Sequence, residues 1–188
     1  DSFIEDLCFE NENSEGEDMS RLKFDCVSFV RCRLSGCSFA GSRFTKVSFI
    51  GTDISNCDFS DTFWRSVKIV NSKCVGSKFV RAFFSDTETE ESSFAYSNFS
   101  NTVLKNCALS SSSFKEALLS EAKLSKMRTD KVDFTGADFF KTSLNHIDLS
   151  TCATDGITLS ESLAELRGAR VNSIQAAEFA KLLGVVIV

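Results

Sequence analysis

Eight cysteines, a single histidine (His146) and scattered carboxylates are the side chains that could do chemistry here, and their spacing decides which chemistry. A zinc site would ask for a Cys-x-x-Cys pair or clustered Cys and His, and the chain has neither. Sugar hydrolysis needs two carboxylates framing a cleft, while phosphoryl or acyl transfer would show as a glycine-rich phosphate loop or a nucleophile elbow. No such loop or elbow is present. The carboxylates instead come as Asp86, Glu88, Glu90 and Glu91 within one short stretch, and as the isolated Asp58, Glu116 and Asp138. Groups of this kind make a surface that binds, so the expectation is a non-enzymatic binding protein with no cofactor and no metal.

What positions them is a beat of five. Over residues 21–84, Phe24, Phe29, Leu34, Phe39, Phe44, Phe49, Ile54, Phe59, Trp64, Ile69, Phe79 and Phe84 fall at every fifth position, with Cys74 the one small member. A helix repeats near 3.6 residues and a half-buried strand near 2, so this backbone must turn a corner once per five residues, as a coil of short strands does. Two positions before each centre stands a smaller residue, such as Val27, Cys32, Cys37, Ser42 or Thr52. Residues i and i−2 of a strand face the same way, so each unit sends one large and one small side chain inward. Between residues 19 and 149 neither inward class holds Asp, Glu, Lys or Arg, as the cost of burying unpaired charge requires. The class is all-β, and the absence of proline, which would remove a ladder donor, agrees. Cys32, Cys37, Cys57, Cys107 and Cys152 take the small slot and read as buried free thiols in a reducing, cytoplasmic compartment. His146 stands at an outward position and reads as solvated.

Units such as Phe39-Ala-Gly-Ser-Arg and Phe134-Thr-Gly-Ala-Asp resemble the pentapeptide-repeat family. The resemblance implies a right-handed quadrilateral β-helix, four units to a coil, with residue n stacked on n+20 at about 4.8 Å. Eight or so coils would give a rod about 35–40 Å long, cored by a ladder of Phe39, Phe59, Phe79, Phe99 and Phe139. Cys37 and Cys57 then become stacked neighbours, which a cytosolic protein keeps reduced.

The rod is expected over residues 1–160, with two irregular places and a third weak rung at Thr129, followed by Asp130. Residues 10–18 would turn Glu12, Ser14 and Glu17 inward, so they read as a solvated acidic loop; residues 86–91 turn Thr87 and Thr89 inward and read as a rung that bulges or protrudes. Residues 161–188 read as a C-terminal cap or dimerisation segment. Its helix over 172–183 is begun by Asn172 with Gln175 three positions on and stopped by Gly184, and a short strand over 185–188 follows. An open β-helix end needs covering, and a homodimer through Ile174, Ala177, Leu182, Leu183, Val185 and Ile187 is expected. No apolar run approaches the roughly 20 residues of a membrane span and no secretory signal is visible. Because the initiator Met is missing, residues upstream of Asp1 are expected.

A narrower resemblance rests on Phe94-Ala-Tyr-Ser-Asn-Phe-Ser-Asn-Thr-Val-Leu-Lys-Asn-Cys-Ala-Leu, on residues 67–79, and on the tail Gln175-Ala-Ala-Glu-Phe-Ala-Lys-Leu-Leu-Gly-Val-Val-Ile. These are similar to the quinolone-resistance pentapeptide proteins (Qnr), over about 44–188. That similarity implies a dimeric rod that binds DNA gyrase and topoisomerase IV, imitates the DNA duplex and protects the enzyme from fluoroquinolones. Better-known members carry two projecting loops, and residues 81–94 leave little room for the longer one here. An immunity protein against a gyrase-targeting peptide toxin is the closest rival.

Imitating a duplex asks for acid. The net charge of −5 divides into −8 over residues 1–18, +7 over 19–85 and −4 over 86–188, which excludes a uniformly acidic rod. Sorted by position modulo 20, the side of Phe39, Phe59 and Phe79 carries Asp58, Glu116 and Asp138 against Lys78. That side, with Asp86, Glu88, Glu90 and Glu91, is the expected topoisomerase-docking strip. The side of Phe24, Phe44 and Trp64 collects Arg21, Lys23, Arg43, Arg65, Arg81, Lys105, Lys123 and Lys141 into a basic ridge. The ridge raises a rival class, a nucleic-acid-binding module or generic interaction scaffold. Its aromatics read as inward, leaving no platform on which bases stack, so no direct nucleic-acid binding is expected.

Overall fold

The structure, a computed structural model, describes residues 2–187. Its repeat is set by the corners: one residue in five takes a left-handed conformation, from Asp6 (φ 53°) to His146 (φ 63°). Such a corner costs a residue with a Cβ about 1–2 kcal/mol, and glycine takes several of them. Gly76 (φ 69°) needs glycine for a second reason, because a Cβ there would lie 2.7 Å from Asn56 Oδ1 in the preceding coil.

Four corners close a coil and the coils stack. The first face is a seven-stranded parallel sheet running from Phe3–Glu5 to Lys123–Ser125, and the second is a matching sheet from Cys8–Glu10 to Arg128–Asp130. Register is n to n+20, as in Phe24 with Phe44 and Phe29 with Phe49. The third and fourth faces are ladders of single bridges, from Asn13 with Arg33 to Asp133 with Ala153, and from Asp18 with Ser38 to Asp138 with Thr158. The chain is thus an all-β solenoid of pentapeptide repeats with one C-terminal helix.

Inside, Phe39, Phe59, Phe79 and Phe99 lie ring on ring, with centroids 4.9, 5.1 and 4.6 Å apart. Neighbouring columns meet edge-on, Phe59 against Trp64 at 63°, the arrangement the ring quadrupole favours. Phe139 is buried in the same column, one coil beyond Leu119. The small slot does more than leave room. Its hydroxyls and thiols donate to a carbonyl of the coil before: Ser77 to Ile54 at 2.6 Å, Ser97 to Cys74 at 2.6 Å and Cys57 to Leu34 at 2.9 Å. Ser77 Oγ also accepts from the Cys57 N–H at 3.1 Å. Serine, threonine and cysteine thus satisfy backbone groups that a buried corner would strand.

Three expectations are corrected. Residues 10–18 are a regular coil, with Asn13 and Asp18 bridged to Arg33 and Ser38. Glu12 and Glu17 are exposed in this coil, the first of the described rod. Residues 86–91 neither bulge nor protrude. Glu88–Glu90 is a strand in register with Lys68–Val70 and Ala108–Ser110, and Thr87 and Thr89 are buried, the Thr89 hydroxyl without a partner. Residues 185–187 form no strand, having no edge to pair with; Val188 lies outside the described residues.

The cap follows its local signals. Helix α1 (Ser173–Leu182) opens on a reciprocal pair in which the Asn172 side chain accepts from the Gln175 N–H and the Gln175 side chain accepts from the Asn172 N–H, each at 2.9 Å. It closes at Gly184, φ 78°.

Candidate partner-binding surfaces

The interior is closed to chemistry. All eight cysteines are free and six are buried. Burial pushes the Cys57 thiol up to about 12, Cys107 up to about 11, and Cys74 well above the ordinary value, so these sulfurs stay protonated and unreactive. Cys37 and Cys57 donate to the Ser14 and Leu34 carbonyls, at 2.7 and 2.9 Å, and are not joined. Among the described residues no three His, Cys, Asp or Glu converge on a metal position, His146 is exposed at a corner, and no helix is long and apolar enough to cross a membrane.

The fourth face holds Asp58 and Asp138, both half-buried and four rungs apart, with Lys78 between them; Glu116 is exposed on the adjoining corner. The two aspartates are occupied. Asp58 Oδ1 accepts from the Ser60 N–H at 2.9 Å, and Asp138 accepts from the Phe140 N–H and the Ser120 hydroxyl, both at 2.8 Å. Asp18, Asp53, Asp133 and Asp148 make the same two-residue contact, a side-chain turn that replaces a backbone one. For five of the six the signal was visible as Asp-x-Ser or Asp-x-Thr, while Asp138 precedes Phe139-Phe140 and carried none; the turn contact accounts for these acids without a partner.

Asp86, Glu88, Glu90 and Glu91 crowd one rung of the second face and its corners, all exposed. Asp86 accepts from Asn106 and Ser85, which hold its carboxyl below the usual range. Glu88 pairs with Lys68 at 3.3 Å, a contact worth little at such exposure. Glu90 and Glu91 have no ion pair among the described residues. The strip expected from position arithmetic is therefore two separate features, a set of turn aspartates and one acidic rung.

The basic ridge lies on the first face as expected, but its aromatics are not all inward. Phe63 and Phe83 point outward and stack at 5.1 Å and 2°, with the Arg43 guanidinium 5.9 Å from the Phe63 centroid. Sequence reasoning overlooked them because they neighbour the true centres, Trp64 and Phe84.

At the C-terminus α1 is anchored by Gln175, whose Nε2 donates to the Leu149 and Cys152 carbonyls at 2.8 Å each, with Phe179 packed beside it on the core. Gln175 had been read only as a capping partner. Ala177 is half-buried, and Ile174, Leu182, Leu183, Val185 and Ile187 are exposed, as is Val186. A groove of about 260 Å³ separates α1 from the last coil, lined in part by Asp155, Ile157, Glu178 and Phe179.

A search of curated protein sequences finds no match. The family described as Pentapeptide repeats matches in eight copies, over residues 23–61, 90–125 and 117–152. Among solved structures, two trypsin-treated forms of QnrB1, a plasmid-mediated fluoroquinolone resistance protein, are similar across 100% of this chain and 98% of theirs. Identity is 19% for both, and the TM-scores are 0.64 and 0.60.

Proposed function

Because the chain belongs to the pentapeptide-repeat family, we propose that it is a cytoplasmic, non-enzymatic protein that docks on DNA gyrase or topoisomerase IV and shields it from fluoroquinolones. The observation behind this is the likeness of the whole rod to QnrB1, over nearly the full length of both chains, read with the Qnr-like blocks at 94–109 and in the tail. Imitation of a duplex falls to the rung of Glu88, Glu90 and Glu91 and to the acidic first coil, since Asp58 and Asp138 are committed to turns. The apolar groups left outward by α1 and the tail, above all Ile174, Leu182 and Leu183, supply the contact of a homodimer.

The deciding experiment is a supercoiling assay with purified gyrase, with and without a quinolone, titrating this protein. Recovery of supercoiling in the presence of drug supports protection. Indifference of the enzyme at every concentration, with and without drug, overturns the reading.

A further inference from the structure

We propose that the first face is a docking surface for an acidic protein segment that carries apolar side chains. The proposal is independent of topoisomerase docking, which calls on the acidic rung and coil.

Two observations meet on this face. The first is an excess of positive charge. Arg65, Lys105 and Lys123 form no ion pair among the described residues. Of the acids nearby, Asp61 is held by Arg81 through two bonds of 2.7 Å, and the single charge of Asp86 is shared between Arg65 and Lys105. The second is the outward column Arg43, Phe63, Phe83, Val103, Lys123, in which three apolar side chains follow one another between two cations.

The geometry selects protein over nucleic acid. Base stacking needs a free aromatic face, and here the two rings cover each other while Arg43 lies over the far side of Phe63. What remains outward is ring edge, against which aliphatic groups pack. From Phe63 to Val103 the column rises two rungs, about 10 Å. An extended segment places side chains i and i+2 about 6.8 Å apart on one side, so two of them fit the column, while carboxylates flanking them meet Arg65 and Lys105.

The test is fluorescence anisotropy on the full chain with a labelled peptide of alternating Glu and Leu. A peptide with Ser in place of Leu and a single-stranded oligonucleotide run alongside. Expected is saturable binding of the Glu-Leu peptide that weakens as salt rises, with the Ser peptide weaker. Affinity should fall by about tenfold or more in Arg65→Glu/Lys105→Glu and measurably in Phe63→Ser/Phe83→Ser. All four positions are outward, and thermal melts establish that each variant folds. Tighter binding of the oligonucleotide would reassign the face to nucleic acid. Absence of peptide binding, or equal binding by the charge-reversed variant, would overturn the proposal.

Discussion

Between Phe24 and Phe99 the inner columns of the rod are mostly rings, and Phe39, Phe44, Phe49, Phe59 and Phe79 are sealed from water. Between Leu104 and Leu149 they are mostly leucine. There Leu124, Met127 and Thr129 are only half-buried, and a small apolar cavity of about 20 Å³ lies among Leu109, Leu119, Leu124, Phe139 and Leu144. The backbone changes at the same place. The first and second sheets end at Ser125 and Asp130, while the third and fourth faces run on through Asp133 with Ala153 and Asp138 with Thr158. Side chains bridge the opening instead: the Thr129 hydroxyl donates to the Asp148 carbonyl, and the Lys131 N–H donates to Thr151 Oγ1 at 3.1 Å. Flat rings stacked at 4.6–5.1 Å ask for the spacing that parallel strands ask for, about 4.8 Å. In the aromatic half, packing and hydrogen bonding therefore enforce one distance. Leucine has no flat face and enforces none.

The largest test of this contrast removes one large side chain from each half. Phe59→Ala should cost about 3–5 kcal/mol, since it takes a fully buried ring from between two others, and Leu124→Ala less than about 2 kcal/mol. Urea melts measure both. Equal costs would mean that the leucine half is as tightly packed as its neighbour.

The second test concerns how each half ties off its corners. In the aromatic half the Arg81 N–H donates to the Ser100 carbonyl of the next coil at 3.1 Å; the corresponding Lys141 N–H donates to the carboxylate of Glu165 at 2.9 Å. The same buried carboxylate accepts from the Ser160 N–H and hydroxyl. Burial alone would raise its pKa, but the residue's own backbone N–H, together with these hydrogen bonds from Ser160 and Lys141, holds it below the usual glutamate value. A carboxyl depressed on folding contributes stability that is full above the ordinary glutamate range and is lost as pH falls through the folded value. Glu165→Ala should cost about 1–3 kcal/mol at neutral pH, and its deficit should shrink on acidification. A deficit that stays constant down to acid pH would show that Glu165 contributes by packing alone.

These features were unequally legible in the sequence. The period of five, the inward classes and the Asn172–Gln175 pair could be read because each depends on residues a few positions apart. Whether Glu12 is buried depends on the presence of another coil beyond it, which no local pattern declares. The turn aspartates other than Asp138 were legible as Asp-x-Ser or Asp-x-Thr, yet charge sorting hid them by asking only which side they faced. The opening after Ser125 was signalled only by the weak rung at Thr129, followed by Asp130, because Leu124 and Met127 satisfy the repeat as well as any buried pair does.

Thr89 tests the contrast from within the aromatic half. It stands between Ile69 and Leu109 in the second-face column with its hydroxyl unpaired, so Thr89→Val keeps the shape and removes a stranded polar group. A gain of about 1–2 kcal/mol is expected in thermal or urea melts. A neutral or destabilising result would mean that the hydroxyl has a partner after all, such as an internal water.

The smallest expected effect is the most direct test of spacing. Leu119 lies between Phe99 and Phe139 in the longest ring column and borders the cavity. Leu119→Phe would make that column continuous from Phe39 to Phe139. At about 24 cal/mol per Å³ of cavity, filling the space yields about 0.5 kcal/mol. If ring stacking sets the distance between coils, the same change should also slow amide exchange at residues 123–130, where the ladder is now unpaired on one side. Overpacking instead would cost about 1–3 kcal/mol. That outcome would mean the opening is shaped by the cap's hold on residues 141–150, and that leucine occupies position 119 because a ring does not fit there.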